Sequence, residues 1–238
     1  MSWRLAWIEW RRLMRTPFAW IVLALASLLL GWQLLQTLDA FSSTPAVGRL
    51  FGLSRHLGLE LFGLTAVLIL FITPLLTMRL SDSSNSLLST APLRLREILL
   101  GQYLALLGVI ALVALLPLGL SIPLAVGTQP DWGLLATASL GLLLLGSCFA
   151  AISLYVSSLS RTPGAAAAGS YGLLLLLSII SQYASADSSG LLSWFGWPPH
   201  FLNLQLGWVR SSDIAYFLLL SLFFLGLALH RLQLRRES

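Results

Sequence analysis

Residues 59–78 read Leu-Glu-Leu-Phe-Gly-Leu-Thr-Ala-Val-Leu-Ile-Leu-Phe-Ile-Thr-Pro-Leu-Leu-Thr-Met, and Arg79 follows at once. Glu60 stands at the start, and no charge interrupts the run from Leu61 to Met78. About 20 mostly apolar residues are enough to carry a helix across the hydrocarbon core of a bilayer. The stretch therefore predicts a transmembrane helix, and five more runs of the same character lie around it. They cover 18–35, 98–126, 133–156, 163–180 and 214–229. Proline removes a backbone donor and crowds the preceding turn, so bends are expected near Pro74, Pro117 and Pro123. The expected fold is all-α: a polytopic membrane protein of six spans, forming a single transmembrane domain over residues 1–238.

Composition gives the same answer. Hydrophobic residues make up 57% of the chain and charged residues 10%, with a mean hydropathy of +0.86. A soluble domain carries about 25% charged residues, so too little polar surface exists here to coat a water-facing globule. The net charge of +5 sits mostly at span ends and forms no stripe interleaved with exposed aromatics. Nucleic acid is accordingly not an expected partner. The one cysteine, Cys148, lies in an apolar run and reads as a small buried side chain, with no disulfide framework. The first span exceeds the 7–15 apolar residues of a signal peptide, and no small-x-small site follows at 33–36. It is expected to be a retained anchor.

All fourteen positive residues are arginine. A phosphate-binding P-loop needs G-x-x-x-x-G-K-[ST], whose lysine reaches the β- and γ-phosphates. With no lysine, the chain holds no such motif and is not expected to be an enzyme by itself. Arginine asymmetry sets the expected orientation. With the N-terminus inside, Arg4, Arg11, Arg12, Arg15, Arg79, Arg94, Arg96, Arg161, Arg231, Arg235 and Arg236 are inside, against Arg49, Arg55 and Arg210 outside. Both termini then face the cytoplasm.

Residues 1–17 precede the first span. Trp3, Trp7, Trp10 and Met14 recur at helical spacing, while Arg4, Arg11 and Arg15 fall on another face. The pattern predicts an interfacial amphipathic helix, its indoles at headgroup depth and Arg11 and Arg12 toward anionic lipid. A helix packed on a protein partner is the alternative.

Two connections are more than short loops. The inner one, 79–97, is serine-rich, then carries Leu87-Leu88, a break at Pro92, and Arg94, Arg96 and Glu97. Asn85 or Ser86 could cap a short helix bearing the leucine pair. Such a helix suits a groove on a soluble partner; a loop lying on the bilayer is the other reading. The outer connection, 181–213, has a turn signal at Asp187-Ser188-Ser189-Gly190. Trp194, Phe195, Trp197, Phe201 and Trp208 then surround Pro198-Pro199-His200. Short interfacial or re-entrant helices are expected there, capping the outer end as an anchor or as a substrate lip.

Glu60, Glu97, Asp131 and Asp213 fall at span ends, within expected reach of water, and no span carries a charge near its middle. That pattern argues against a buried proton relay. His56, His200 and His230 lie on separate segments without metal-ligand spacing, so no metal site is expected. Gly146-Ser147-Cys148 has no intramembrane histidine in prospect to activate a nucleophile. Ala165 and Gly169 form a small-x-x-x-small pair, expected to serve internal packing in preference to a dimer seam.

The order of parts resembles the permease subunit of type-2 ABC exporters, and within it the GldF/NosY-like branch. Leu87-Leu88-Ser89-Thr90-Ala91-Pro92-Leu93, with Glu97-Ile98-Leu99-Leu100-Gly101-Gln102-Tyr103-Leu104, is similar to that branch's loop before the third span. Leu154 to Arg161 resembles its turn between the fourth and fifth spans. Pro199-His200-Phe201, Gly207 and Asp213-Ile214-Ala215-Tyr216-Phe217-Leu218 resemble its C-terminal third. The family usually has acidic residues and a Gly-Thr before the leucines, where this chain has Ser81-Asp82-Ser83-Ser84-Asn85-Ser86.

The resemblance implies a location in the bacterial cytoplasmic (inner) membrane and a conduit of two permease copies, identical or related. Two cytoplasmic ABC ATPases would carry ATP-Mg beneath it, so the permease itself binds no cofactor. Leu87, Leu88, Arg94, Arg96 and Glu97 would then belong to a cytoplasmic coupling helix between spans two and three, seated on the ATPase. A periplasmic-facing accessory protein and membrane lipid complete the implied partners. A non-transporting scaffold for an envelope complex is the second functional class, and a lipid-modifying enzyme the third.

Overall fold

The structure is a computed structural model that describes residues 2–43, 52–90, 95–126, 130–160, 162–184 and 196–237; the side chains of 2–5, 81–90, 126, 181–184 and 235–237 lie outside that description. Among the described residues every regular element is helical. The helices are α1 (Ser2–Arg15), α2 (Pro17–Ser43), α3 (Leu53–Thr90), α4 (Leu95–Ser121), α5 (Trp132–Leu159), α6 (Pro163–Ala184), α7 (Trp197–Gln205) and α8 (Ser211–Glu237), with a 3-10 turn at Pro123–Val126 after α4. Six of them are long and apolar enough to cross a membrane: α2, α3, α4, α5, α6 and α8. The chain is a multi-pass membrane protein. In hydrocarbon every backbone N–H and C=O must be satisfied inside the structure, which is why these runs are helices.

Two helix ends differ from the expected span ends. The run 98–126 is not one helix: α4 stops at Ser121, because Pro123 has no N–H to continue the ladder. Tight turns replace it, with Ile122 N donating to Gly119 O at 3.2 Å and Ala125 N to Ile122 O at 3.1 Å. The second apolar span ends at Leu80, close to the expected Met78, but its helix does not stop there. It runs unbroken through Thr90, so Asn85 and Ser86 lie inside a helix and do not start one. No glycine or proline occurs between Pro74 and Pro92 to interrupt it. Within α3, Pro74 leaves the preceding turn short of a donor. One residue on from the carbonyl of Leu70 that Pro74 leaves without a donor, the Tyr171 hydroxyl of α6 donates to Phe71 O at 2.6 Å.

The core is organised around α5, which packs against α3, α4, α6, α7 and α8. Leu135, Leu142, Leu145, Phe149 and Ile152 of α5 are fully buried. Gly146 is the point of closest approach: a Cβ there would lie 2.3 Å from Ile110 Cγ2 of α4 and 3.6 Å from Ile69 Cγ2 of α3. Most of the buried hydroxyls are spent on their own helices, while Ser153 Oγ of α5 has no partner. Thr65, Thr73, Thr77, Ser139, Ser170 and Ser221 each donate to the carbonyl four residues back, at 2.7–2.9 Å. Small residues on α6 pack inward, but through Ala166, Ala167 and Ser170. Ala165 faces outward, and the Cβ position of Gly169 meets Val156 Cγ1 at 2.9 Å.

Replacing Gly146 by alanine should destabilise the bundle by about 1–3 kcal/mol, the usual cost of overpacking. Because the clash is with one methyl, the loss should be non-additive with Ile110→Ala. Thermal unfolding of the four variants in mild detergent checks both statements.

Candidate functional site

The densest buried polar chemistry lies where α7 inserts between α5 and α8. Helix α7 is short, and Pro198 and Pro199 suit its first turn, where N–H groups have no helical acceptor. Its seat is made of glycine. A Cβ at Gly141 would lie 3.0 Å from Leu204 Cβ and 3.3 Å from Phe201 Cε2, and one at Gly58 would lie 2.9 Å from Gln205 O. At the other end of α7, Trp197 meets Phe149 edge to face at 5.5 Å. Phe149 is seventeen residues into α5, about 26 Å along its axis at about 1.5 Å per residue. Gln205, by contrast, lies beside Leu134, near the start of α5. Helix α7 thus begins deep in the bundle and climbs back toward the end where α5 starts.

A complete C-cap closes it. Gly207 has φ +81°, Trp208 N donates to Asn203 O at 2.8 Å, and Gly207 N donates to Leu204 O at 3.1 Å. This is the paired-bond Schellman arrangement, whose left-handed residue favours glycine. The chain then turns directly into α8.

The first turn of α8 carries Asp213, and this residue is not at the water's edge as its span-end position suggested: it is 2% exposed. His200 of α7, 5% exposed, places Nδ1 2.7 Å from Asp213 Oδ1. Asn203 Nδ2 donates to Asp213 Oδ2 at 3.0 Å. The imidazole stacks on Tyr216 at 4.2 Å and 18° and meets Phe217 edge-on at 6.5 Å. A buried carboxylate needs partners for both oxygens, and α7 supplies both. Further down the same face of α8, Ser221 approaches Ser147 of α5 at 3.4 Å, and the Tyr103 hydroxyl of α4 joins the two serines. Ser147 also donates to Leu144 O at 2.6 Å, the arrangement of a packing hydroxyl, not of an activated nucleophile.

Not every group on α7 is satisfied. Trp197 Nε1 and Gln205 Nε2 are buried with no hydrogen-bond partner. Each such orphan costs about 1–3 kcal/mol. The ends of α7 are therefore poorly satisfied, while its middle is held by Asp213.

Helix α1 forms a second candidate element. It rests along α4, burying Ala6, Glu9 and Leu13 at i, i+3 and i+7. The buried face is thus rotated from the Trp7–Met14 stripe that the sequence suggested. Trp10 sits over Gly108, where a Cβ would lie 2.7 Å from its Cδ1, while Trp7 is 48% exposed. Trp7 stacks on Trp10 at 5.1 Å, and Arg11 lies over the Trp7 ring at 5.3 Å. The turn into α2 is fastened by Thr16 Oγ1 donating to Leu13 O at 2.6 Å and Trp20 Nε1 donating to Met14 O at 2.8 Å. Glu9 is 5% exposed with Oε2 unpartnered. Burial raises its pKa above the ordinary 4.5, against the lowering influence of Arg12.

The sequence-predicted residues divide accordingly. Of the outer group, Trp197 and His200 are brought together in the α7 seat, Trp208 is 58% exposed on the turn after it, and Trp194 lies outside the described residues. Of the N-terminal group, Trp7, Trp10, Arg11 and Arg12 are on α1; Trp3 is there too, but its side chain lies outside the description. Of the inner group, Leu87 and Leu88 lie on the extension of α3 with undescribed side chains. Arg96 and Glu97 open α4, with Arg96 exposed, and Arg94 lies outside the described residues. Asp213, Asn203 and Tyr216 were not singled out as a site with His200, although Asp213, Tyr216 and Phe217 share one face of α8 at i, i+3 and i+4 spacing. Comparison with known proteins gives no match, either to a protein-family model or to a curated protein. Among the described residues no group of three or more His, Cys, Asp or Glu is arranged to hold a metal ion.

The Glu9 environment has a pH consequence. A carboxyl whose folded pKa is raised binds more protons folded than unfolded, so the docking of α1 weakens as pH rises from about 4.5 through the folded value. Glu9→Gln should stabilise the docked helix at neutral pH and flatten that dependence. Trp10 fluorescence, read in a chain whose other tryptophans are phenylalanine, measures it across pH 4–8.

Proposed function

We propose that this chain is the transmembrane permease subunit of an ABC exporter-type complex, coupling ATP hydrolysis by a separate cytoplasmic ATPase to transport or mechanical work. The observation that carries the reading is the extension of α3. Its apolar span ends at Leu80, yet the helix continues to Thr90. Ten further residues at about 1.5 Å each project a stiff arm of about 15 Å. Eleven of fourteen arginines fall on the side of this arm in the expected topology, which supports a cytoplasmic setting for it and for both termini. A rigid continuation of a spanning helix transmits a push directly into the bundle, as a flexible loop does not. The absence of lysine, and so of a P-loop, requires the motor to be another subunit.

In this reading Leu87 and Leu88 ride on the arm, Arg94, Arg96 and Glu97 flank its return into α4, and two ATPases carry ATP-Mg beneath two permease copies. The arginines of α1 face lipid headgroups, and the α7 seat closes the opposite end of the bundle. The second reading is a membrane scaffold without transport. It is favoured by the way most buried hydroxyls are consumed by their own backbones, leaving few polar groups to line a conduit.

Affinity purification from native membranes in mild detergent should recover a P-loop ATPase in equal amount. Replacing Leu87 and Leu88 together with glutamate should leave the permease folded and reduce its stimulation of ATP hydrolysis at least tenfold. A preparation without any ATPase, under conditions where comparable complexes survive, establishes the scaffold reading instead.

A further inference from the structure

We propose that the corner where α1 turns into α2 is a binding site for the phosphate of an anionic phospholipid, held between Arg15 at the end of α1 and Arg79 of α3. The inference needs only the membrane setting of the chain and stands apart from the identity of any motor. Arg79 comes to the corner from another span. Its guanidinium lies over the Phe18 ring at 5.0 Å, and Phe18 is three residues after Arg15. The corner itself is fixed. Thr16 N and Thr16 Oγ1 both donate to Leu13 O, at 3.1 and 2.6 Å, and Trp20 Nε1 donates to Met14 O at 2.8 Å. One turn back on α1, Arg12 is exposed, and Arg11 lies over Trp7 at 5.3 Å. A ring under a guanidinium attracts the cation and leaves its N–H edge for an acceptor. Paired N–H groups on that edge match two oxygens of a phosphate.

Charge and apolar surface together identify the occupant. All four arginines are exposed, and none is in an ion pair among the described residues, whose one ion pair joins α7 to α8. The carboxyl of α1, Glu9, does not serve them: it is buried on the side of α1 that packs on α4. Like charges gathered at one corner repel, and an anion between them relieves the repulsion. A soluble phosphate or an acidic peptide would use the cations alone. Here an apolar track starts beside them. Helix α2 is the least buried of the six spans, and Ile21, Leu25, Leu28, Trp32 and Leu35 form one stripe along it, each more than half exposed. Fourteen residues at about 1.5 Å each give the stripe about 21 Å, which exceeds half of a hydrocarbon core about 30 Å thick. A cationic corner at the head of an apolar stripe fits an amphiphile with a negative head.

The test is native mass spectrometry of the full-length chain in mild detergent, titrated with dioleoylphosphatidylglycerol or with dioleoylphosphatidylcholine. The parent should bind the glycerol lipid about tenfold more tightly than the choline lipid. Arg15→Gln with Arg79→Gln should remove that preference, lowering affinity for phosphatidylglycerol about tenfold and leaving phosphatidylcholine unchanged. Arg96→Gln with Arg231→Gln takes the same charge from exposed positions elsewhere and should stay within about threefold of the parent. Thermal unfolding in phosphatidylcholine alone should be equal for the three chains. Where the corner pair unfolds earlier, Arg15→Gln and Arg79→Gln are read singly, each expected to lose about threefold. Glycerol phosphate in large excess should not displace the lipid. The site is overturned if the parent binds the two lipids alike, or if the control pair loses as much affinity as the corner pair. Displacement by glycerol phosphate also overturns it, making the corner a site for a soluble anion.

Discussion

At Gly146 three spanning helices come so close that the hydrogen of a glycine is all that fits. Ile110 of α4 and Ile69 of α3 both lie against that one position of α5, and the rest of the bundle is arranged around the approach. Between helices in lipid, the hydrophobic effect supplies little attraction, since the acyl chains are as apolar as leucine; close van der Waals contact has to do the work. A glycine at the crossing lets α4 and α3 converge on α5. That convergence leaves α5 buried on most of its circumference, with α6, α7 and α8 completing the ring. The apolar faces left over, such as Trp20, Ile21, Leu25, Leu28 and Trp32 of α2 and Leu219, Leu222 and Phe223 of α8, are the surface a bilayer covers.

The same constraint governs polar groups. Many of the serines and threonines inside the spans return their hydroxyl protons to the preceding turn, though Ser153 Oγ of α5 and Gln102 Nε2 of α4 are buried without partners. A further group of buried polar side chains gathers at α7. A short helix seated inside the bundle buries backbone ends and side-chain heads, and each must find a partner in protein. His200, Asn203 and Asp213 solve the problem mutually. Trp197 Nε1 and Gln205 Nε2 do not, although both side chains are buried.

At the other end of the bundle, α3 leaves its apolar span and remains a helix for ten more residues. Helix α3 packs on α5, and α5 in turn supports both α7 and α8.

The sequence alone determined the spans, because apolar length is a local property that lipid reads residue by residue. All six predicted runs became membrane-length helices, and a short helix within 181–213 was visible in its tryptophans and prolines. Helix ends were less legible: nothing local told that Ser81 to Thr90 would continue α3, since serines and an asparagine favour caps as readily as they tolerate a helix. The pairing of His200 with Asp213 was hidden for a different reason. The two are thirteen residues apart and separated by a turn whose direction depends on Gly207, so a span-end aspartate and a loop histidine looked independently solvated. The buried face of α1 was likewise set by Gly108 on α4, ninety-eight residues after Trp10. Which residues meet across the bundle was decided by where glycines allowed helices to approach, and that is a property of the packed structure.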